Sequence, residues 1–222
     1  MTTTPDFMQD FLMKQITFKD GSTATVNNIY CIGRSYAEHI SELGNTPTGE
    51  PVVFMKPTTA LTTADRLHLP KFSDDVHHEV ELVVYIGRDV ADDATPTLEC
   101  IAGYGVGLDL TARDVQTDLK AKGLPWTLAK GFRDAAWLSV LCAGVPSVCQ
   151  LSLTVNGQIR QNDSTDKMLF DVGYQLRYLH DKFGLRQGDI IYTGTPKGVG
   201  RLERGDVLIA AIDKDAYTLS VD

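Results

Sequence analysis

Apolar and polar positions alternate over residues 79–86 (EVELVVYI), and this period-two, β-branched pattern predicts a strand. Apolar runs over 28–33, 52–56, 102–111, 189–193, 206–212 and 217–221 predict more strands, the second stopped by Pro57. Asn156-Gly157 sits between apolar runs in 151–161, the signature of a type I′ hairpin. Helical periodicity is confined to two segments. In 168–183, Met168, Val172, Leu176, Leu179 and Phe183 share a face, with Gly184 as the stop. In 35–43, Tyr36, Ile40 and Leu43 form the stripe, Ser35 is placed as N-cap, and Gly44 ends the helix. The loop 44–51 (GNTPTGEP) follows it, so helix and loop together read as a lid over a pocket. Residues 1–27 read as a short irregular lead with a hairpin at Lys19-Asp20-Gly21. Strands outnumber helices and long helical crossovers are few. The predicted fold is therefore α+β, mostly β, a mixed-sheet roll or sandwich forming a single domain over 28–222.

Composition narrows the function classes. With 43% hydrophobic residues, a chain of 222 can bury a sizeable core, and its 23% charged fraction gives no sign of disorder. A net charge of -8 argues against nucleic-acid binding, which needs a basic face. The four cysteines lack C-x-x-C spacing, so they read as buried thiols of a reducing compartment. The start MTTTPDFMQDFLMK does not read as a signal peptide, and no apolar run is long enough to span a membrane. The expectation is a cytoplasmic protein with no membrane partner.

Residues two apart on a strand share a face, so Glu79 and Glu81 point the same way. Two carboxylates on a strand that looks buried are costly unless a cation neutralises them; a solvated strand face is the plain alternative. In GYGVGLD, Gly103, Gly105, Gly107 and Asp109 share a face bare of side chains, which suggests a pocket, or else a tightly packed bend. Three carboxylates without a cysteine suit a hard divalent cation such as Mg2+ or Mn2+. His77 and His78 flank the pair, but both cannot share its face.

Other residues could do chemistry. His39 and Glu42, three apart on the first helix, can pair as a general base with its orienting carboxylate, or form a surface ion pair. Arg113 and Gln116 are three apart in a polar run. Lys130 stands alone among apolar neighbours and could bind a carboxylate or oxyanion, or a salt-bridge partner. The loop TGTPKGVG after an apolar strand has neither P-loop nor G-x-G-x-x-G order. Its amides and Thr195 could cradle a carboxylate, or it could be a plain turn.

The segments CIGRSYAEH, FMKPTTA, HHEVEL, GYGVGLDLTARDVQ, GLPWTLAKGF and GDIIYTGTPKGVG together resemble the fumarylacetoacetate hydrolase family. The likeness runs from about Asn28 onward and is greatest to small single-domain members, the acylpyruvase and oxaloacetate decarboxylase type. It implies a mixed β-roll of the family's C-terminal domain type, a homodimer and a Mg2+ or Mn2+ site. It assigns Glu79, Glu81 and Asp109 as metal ligands and His39–Glu42 as the base pair. Gln116, Lys130 and Thr195 fall at substrate-contacting positions, and Arg34, Lys56 and Arg113 lie within the same motifs as further substrate-binding candidates. Two departures stand out. Ser35 replaces an Asn found in many relatives, and the extra N-terminal domain of the larger hydrolases is missing.

The expected reaction is metal-dependent hydrolysis of a C–C bond in an acylpyruvate or fumarylpyruvate, with a small 2-oxo acid as substrate. His39 would activate the water, and Lys130 and Gln116 would stabilise the oxyanion. The rivals are oxaloacetate decarboxylation, isomerisation of an unsaturated dioic acid, and a non-catalytic metal or 2-oxo-acid binding protein.

Overall fold

A computed structural model describes residues 14–46 and 49–222. A mixed sheet forms its centre. Its strand order is Val52–Lys56, Ile29–Gly33, Ile190–Tyr192, Val80–Ile86, Ile101–Asp109, Ala136–Leu138 and Leu61–Thr62, with Cys142–Ala143 also on Ile101–Asp109. Two of the pairings are parallel, Ile190–Tyr192 with Ile29–Gly33 and Ala136–Leu138 with Leu61–Thr62. Val80–Ile86 is buried at every position, because both of its faces are covered.

A second sheet runs Gln158–Ser164, Gln150–Val155, Val207–Ile212, Asp215–Val221 and Arg66–Leu67. Its strands alternate buried and exposed residues: Leu151, Leu153, Leu208, Ala210 and Leu219 point inward. Their face meets strands Val80–Ile86 and Ile101–Asp109 to form the main core. Asn156 and Gly157 join the first two strands with φ of 52° and 76°, the two left-handed residues that a type I′ turn requires. The hairpin expected near Lys19 is present between Gln15–Thr17 and Thr23–Thr25. The fold is thus mostly β with mixed sheets, as the strand-rich pattern predicts. Among the described residues, no helix is long and apolar enough to cross a membrane.

Three local expectations are corrected. The late helix is Val172–Phe183; it begins at Asp171, whose side chain accepts the Tyr174 N–H at 2.7 Å, so Met168 stays outside it. The early helix is Ala37–Glu42, and Ser35 does not cap it; Ser35 is buried and its carbonyl accepts the Leu169 N–H at 2.7 Å. Glu79 lies outside the strand, in the break between Val76–His78 and Val80–Ile86. Of the two readings of the glycine face of Ile101–Asp109, a pocket or a tight packing, the packed one holds. A Cβ on Gly107 would come within 2.6 Å of the Tyr192 ring and of Val83, and one on Gly105 within 2.7 Å of Ser139 Oγ. Those glycines admit neighbouring side chains and strands, and the cavity opens only at the Asp109 end of the strand.

Candidate active site

Strand register brings the carboxylates together. Glu81 pairs with Gly107 and Val80 with Leu108, and the Asp109 N–H donates to the Glu79 carbonyl at 2.9 Å. Glu79, Glu81 and Asp109 are all buried, and each offers an oxygen within 4.8 Å of the others.

Cations meet two of the three. Lys130 Nζ donates to Glu79 Oε2 and to Asp109 Oδ2, each at 2.7 Å, and Arg113 Nη2 bonds Glu79 Oε1. Burial opposes ionisation of Glu79, but Lys130, Arg113 and His39 outweigh it and hold its carboxyl well below the usual range. Burial likewise opposes the charge of Lys130, but Asp109 and Glu79 raise its ammonium above the ordinary value. Glu81 differs. Burial first, then Asp109 and Glu79, push its carboxyl well up, and it accepts the Gly194 N–H at 2.7 Å. Glu81 touches no cationic side chain among the described residues. An oxygen-only donor set in which one buried carboxylate lacks a counter-charge fits a hard divalent cation.

Lys56 lies beneath this cluster. Its Nζ is 2.6 Å from Asp109 Oδ1, an ion-pair contact outside hydrogen-bond alignment, and it also bonds the Leu110, Lys130 and Ala135 carbonyls. With its donors spent there, Lys56 is absent from the cavity lining. Neither histidine of the HHE run joins the carboxylates. His77 Nε2 sits 2.9 Å from Asp75, and His78 Nδ1 sits 3.0 Å from Gln161 Oε1.

His39 Nδ1 lies 3.1 Å from Glu42 Oε2, and Glu42 Oε1 accepts the Gly198 N–H at 2.9 Å. Lys197 also reaches Glu38 at 2.8 Å. The short helix is therefore fastened to the glycine-rich loop rather than standing loose. Gly198 has φ of 99°, and a Cβ there would strike the Arg160 carbonyl at 1.9 Å, so only glycine brings the loop this close. Arg34 enters the helix with φ of 59°, a left-handed conformation that costs a non-glycine residue about 1–2 kcal/mol.

Nine of the eleven candidates line one small cavity: Arg34, His39, Glu79, Glu81, Asp109, Arg113, Gln116, Lys130 and Thr195. Glu42 and Lys56 stand behind them. Phe54, Trp126, Asn45 and Lys120 also line it and were not anticipated. Lys120 could have been found, since it falls on the same face of helix Arg113–Ala121 as Arg113 and Gln116. Gln161 was missed too. It is buried, it accepts from His78 Nδ1 and the Val80 N–H, and it donates to Thr195 Oγ1 and the Pro196 carbonyl.

Residues 28–218 match the sequence model described as fumarylacetoacetate (FAA) hydrolase C-terminal. The chain is 42% identical over 194 residues to the mitochondrial oxaloacetate tautomerase FAHD1 of Rattus norvegicus, covering 84% of this chain and 87% of that protein. It is 41% identical over 203 residues to oxaloacetate tautomerase YcgM of Escherichia coli (strain K12), covering 88% and 93%. It superposes on fumarylpyruvate hydrolase from Pseudomonas aeruginosa in complex with Mn2+ and pyruvate with a TM-score of 0.88 and 35% identity, covering 94% and 95%.

Proposed function

The chain belongs to the fumarylacetoacetate hydrolase family, and from that membership we propose that it is a metal-dependent tautomerase of small 2-oxo diacids such as oxaloacetate. One observation carries the reading: His39, with Nδ1 held 3.1 Å from Glu42, lines the same cavity as the three clustered carboxylates. Names of relatives at 41–42% identity support it.

Glu79, Glu81 and Asp109 would hold Mg2+ or Mn2+, which supplies Lewis acidity to a keto group bound beside it. His39 takes a proton from the carbon next to that keto group through Nε2, the nitrogen Glu42 leaves free. Glu42 keeps the other ring nitrogen as N–H and stabilises the imidazolium that forms. Lys130 donates to the oxygen that gathers enolate charge. Gln116 does the same through its amide nitrogen, because its Oε1 is taken by Arg113 Nη1 at 2.7 Å. Returning the proton to that oxygen completes the enol, so no further reactant is consumed.

A second reading keeps C–C hydrolysis of an acylpyruvate, supported by the likeness to fumarylpyruvate hydrolase. There the same His39–Glu42 pair activates a water. Oxaloacetate decarboxylation needs the enolate but no base, and a purely binding role leaves the pair without a use. The homodimer belongs to this proposal, and light scattering measures it.

The test is a panel with Mg2+- or Mn2+-loaded protein: keto–enol conversion of oxaloacetate followed by enol absorbance, its decarboxylation, and cleavage of acylpyruvates and fumarylpyruvate. Keto–enol conversion is expected to be fastest. Cleavage of an acylpyruvate without any acceleration of tautomerisation would overturn the first reading in favour of the second.

A further inference from the structure

The cavity carries two sets of cations. The inner set, Lys130 and Arg113, is charge-paired with Glu79 and Asp109, which leaves Lys130 one ammonium N–H for substrate. The outer set is Lys120 and Arg34, and neither has an acidic partner among the described residues. Among the described residues, Arg34 meets two neutral oxygens, the Thr46 carbonyl at 3.2 Å and Asn45 Oδ1 at 3.4 Å. Lys120 Nζ rests 5.1 Å from the centre of the Trp126 ring. An aromatic wall separates the sets: Trp126 packs on Phe54 with centroids 5.9 Å apart, and Lys130 lies 4.8 Å over Phe54. The pocket therefore offers a compensated cationic end beside the carboxylates and an uncompensated one at its mouth.

We infer that Lys120 and Arg34 form an outer carboxylate subsite that selects 2-oxo diacids over 2-oxo monoacids. The inference rests on the 2-oxo-acid reading above and extends it to the residues that read the distal group. Partial desolvation against the pocket wall, and after it the positive fields of Arg113, Arg34 and Lys130, lower the pKa of the Lys120 ammonium, although the residue is exposed overall. An arriving carboxylate relieves that crowding and replaces a weak ring contact with a charge-assisted hydrogen bond.

The experiment follows deuterium uptake from D2O at the carbon beside the keto group, for oxaloacetate and for 2-oxobutyrate, a monoacid of equal length. Wild type, Lys120→Gln and Lys120→Arg are compared, each loaded with Mn2+. Wild type is expected to favour the diacid. In Lys120→Gln that preference falls about tenfold or more, the loss appearing in KM rather than kcat, and Lys120→Arg restores most of it. Exchange of both acids with no diacid preference in wild type, or a preference that survives Lys120→Gln, overturns the subsite and leaves the 2-oxo-acid reading standing. Exchange of neither acid overturns both.

Discussion

Gln161 Nε2 donates to Thr195 Oγ1 at 2.8 Å, and that contact joins the outer hairpin to the loop closing the cavity. The Oε1 of the same amide holds His78 and the Val80 N–H, the residues on either side of Glu79. One side chain thereby sets the separation between a carboxylate of the cluster and the Thr195 loop. Its removal leaves several buried polar groups without partners, each costing about 1–3 kcal/mol. Gln161→Ala is expected to lower unfolding free energy by about 3 kcal/mol or more, read from the denaturant midpoint at unchanged slope. A loss under about 1 kcal/mol would mean that the loop finds other partners.

Metal binding is tested without reference to activity. Mn2+ at a hundred times its Kd should stabilise the wild type by about 2.7 kcal/mol, because the unfolded chain has no preformed site. In Glu81→Ala the thermal shift should vanish, along with the heat of Mn2+ binding. An undiminished shift in this variant would exclude Glu81 as a ligand.

The cluster was legible because its two halves each lie close together in sequence. Period two placed Glu81 correctly on its strand, and Glu79 came near it although the chain breaks there. The family motifs tied both to Asp109. The longer strands were legible from their apolar runs, with ends off by a residue or two, whereas the short strands Leu61–Thr62, Arg66–Leu67 and Ala136–Leu138 were not read from the sequence. Gln161 was not legible. It ends the 151–161 hairpin segment as a polar side chain, and only the docking of the hairpin buries it. The glycine face was left open between a pocket and a tight bend, because alternation shows which positions lack side chains but not which neighbours fill the gap; the packing of Tyr192, Val83 and Ser139 against it decides for the bend. Lys56 lies in a family motif, yet only tertiary contacts show three carbonyls claiming its ammonium.

Gly107 gives a packing test. A methyl there would meet Val83 Cγ2 and the Tyr192 ring at 2.6 Å and the Trp137 carbonyl at 3.0 Å. Overpacking of this kind costs about 1–3 kcal/mol. Gly107→Ala should lower Tm and, since Gly107 pairs with Glu81, weaken Mn2+ binding as well. Gly144→Ala is no match for it as a clash, because nothing lies within 4 Å of a Cβ at Gly144; its cost comes from its φ of 100° alone.

The thiols predict a pH dependence. Burial, then the negative charge of Asp213, push Cys149 up to about 12. The folded pKa lies above the unfolded value, so this contribution to stability is complete below about pH 9 and is lost as pH rises from 9 toward 12. Stability should therefore decline through that window, less steeply in Cys149→Ala. At pH 9, mass spectrometry after iodoacetamide should find Cys142, which is partly exposed, labelled well before the buried Cys31, Cys100 and Cys149. Equal rates at Cys142 and Cys149 would contradict the burial argument.

The decisive prediction concerns His39, because the competing reactions use it differently. Tautomerisation needs a group to carry a proton between carbon and oxygen. Acylpyruvate hydrolysis needs the same group to activate water. Decarboxylation of oxaloacetate needs neither, since the electrons of the breaking C–C bond form the enolate directly. General-base catalysis contributes roughly a hundred- to ten-thousand-fold. His39→Ala should therefore cut tautomerisation by that range while any decarboxylation falls much less, provided Lys130 and the carboxylates still hold the substrate. Glu42→Gln keeps the side chain's shape but removes the charge facing Nδ1, so it should reduce tautomerisation by a smaller factor. The measurement is the ratio of the two activities in each variant. If both fall by one common factor in His39→Ala, His39 positions substrate or secures the helix to the glycine-rich loop. The base assignment is then withdrawn, and the carboxylate cluster stands on its own geometry.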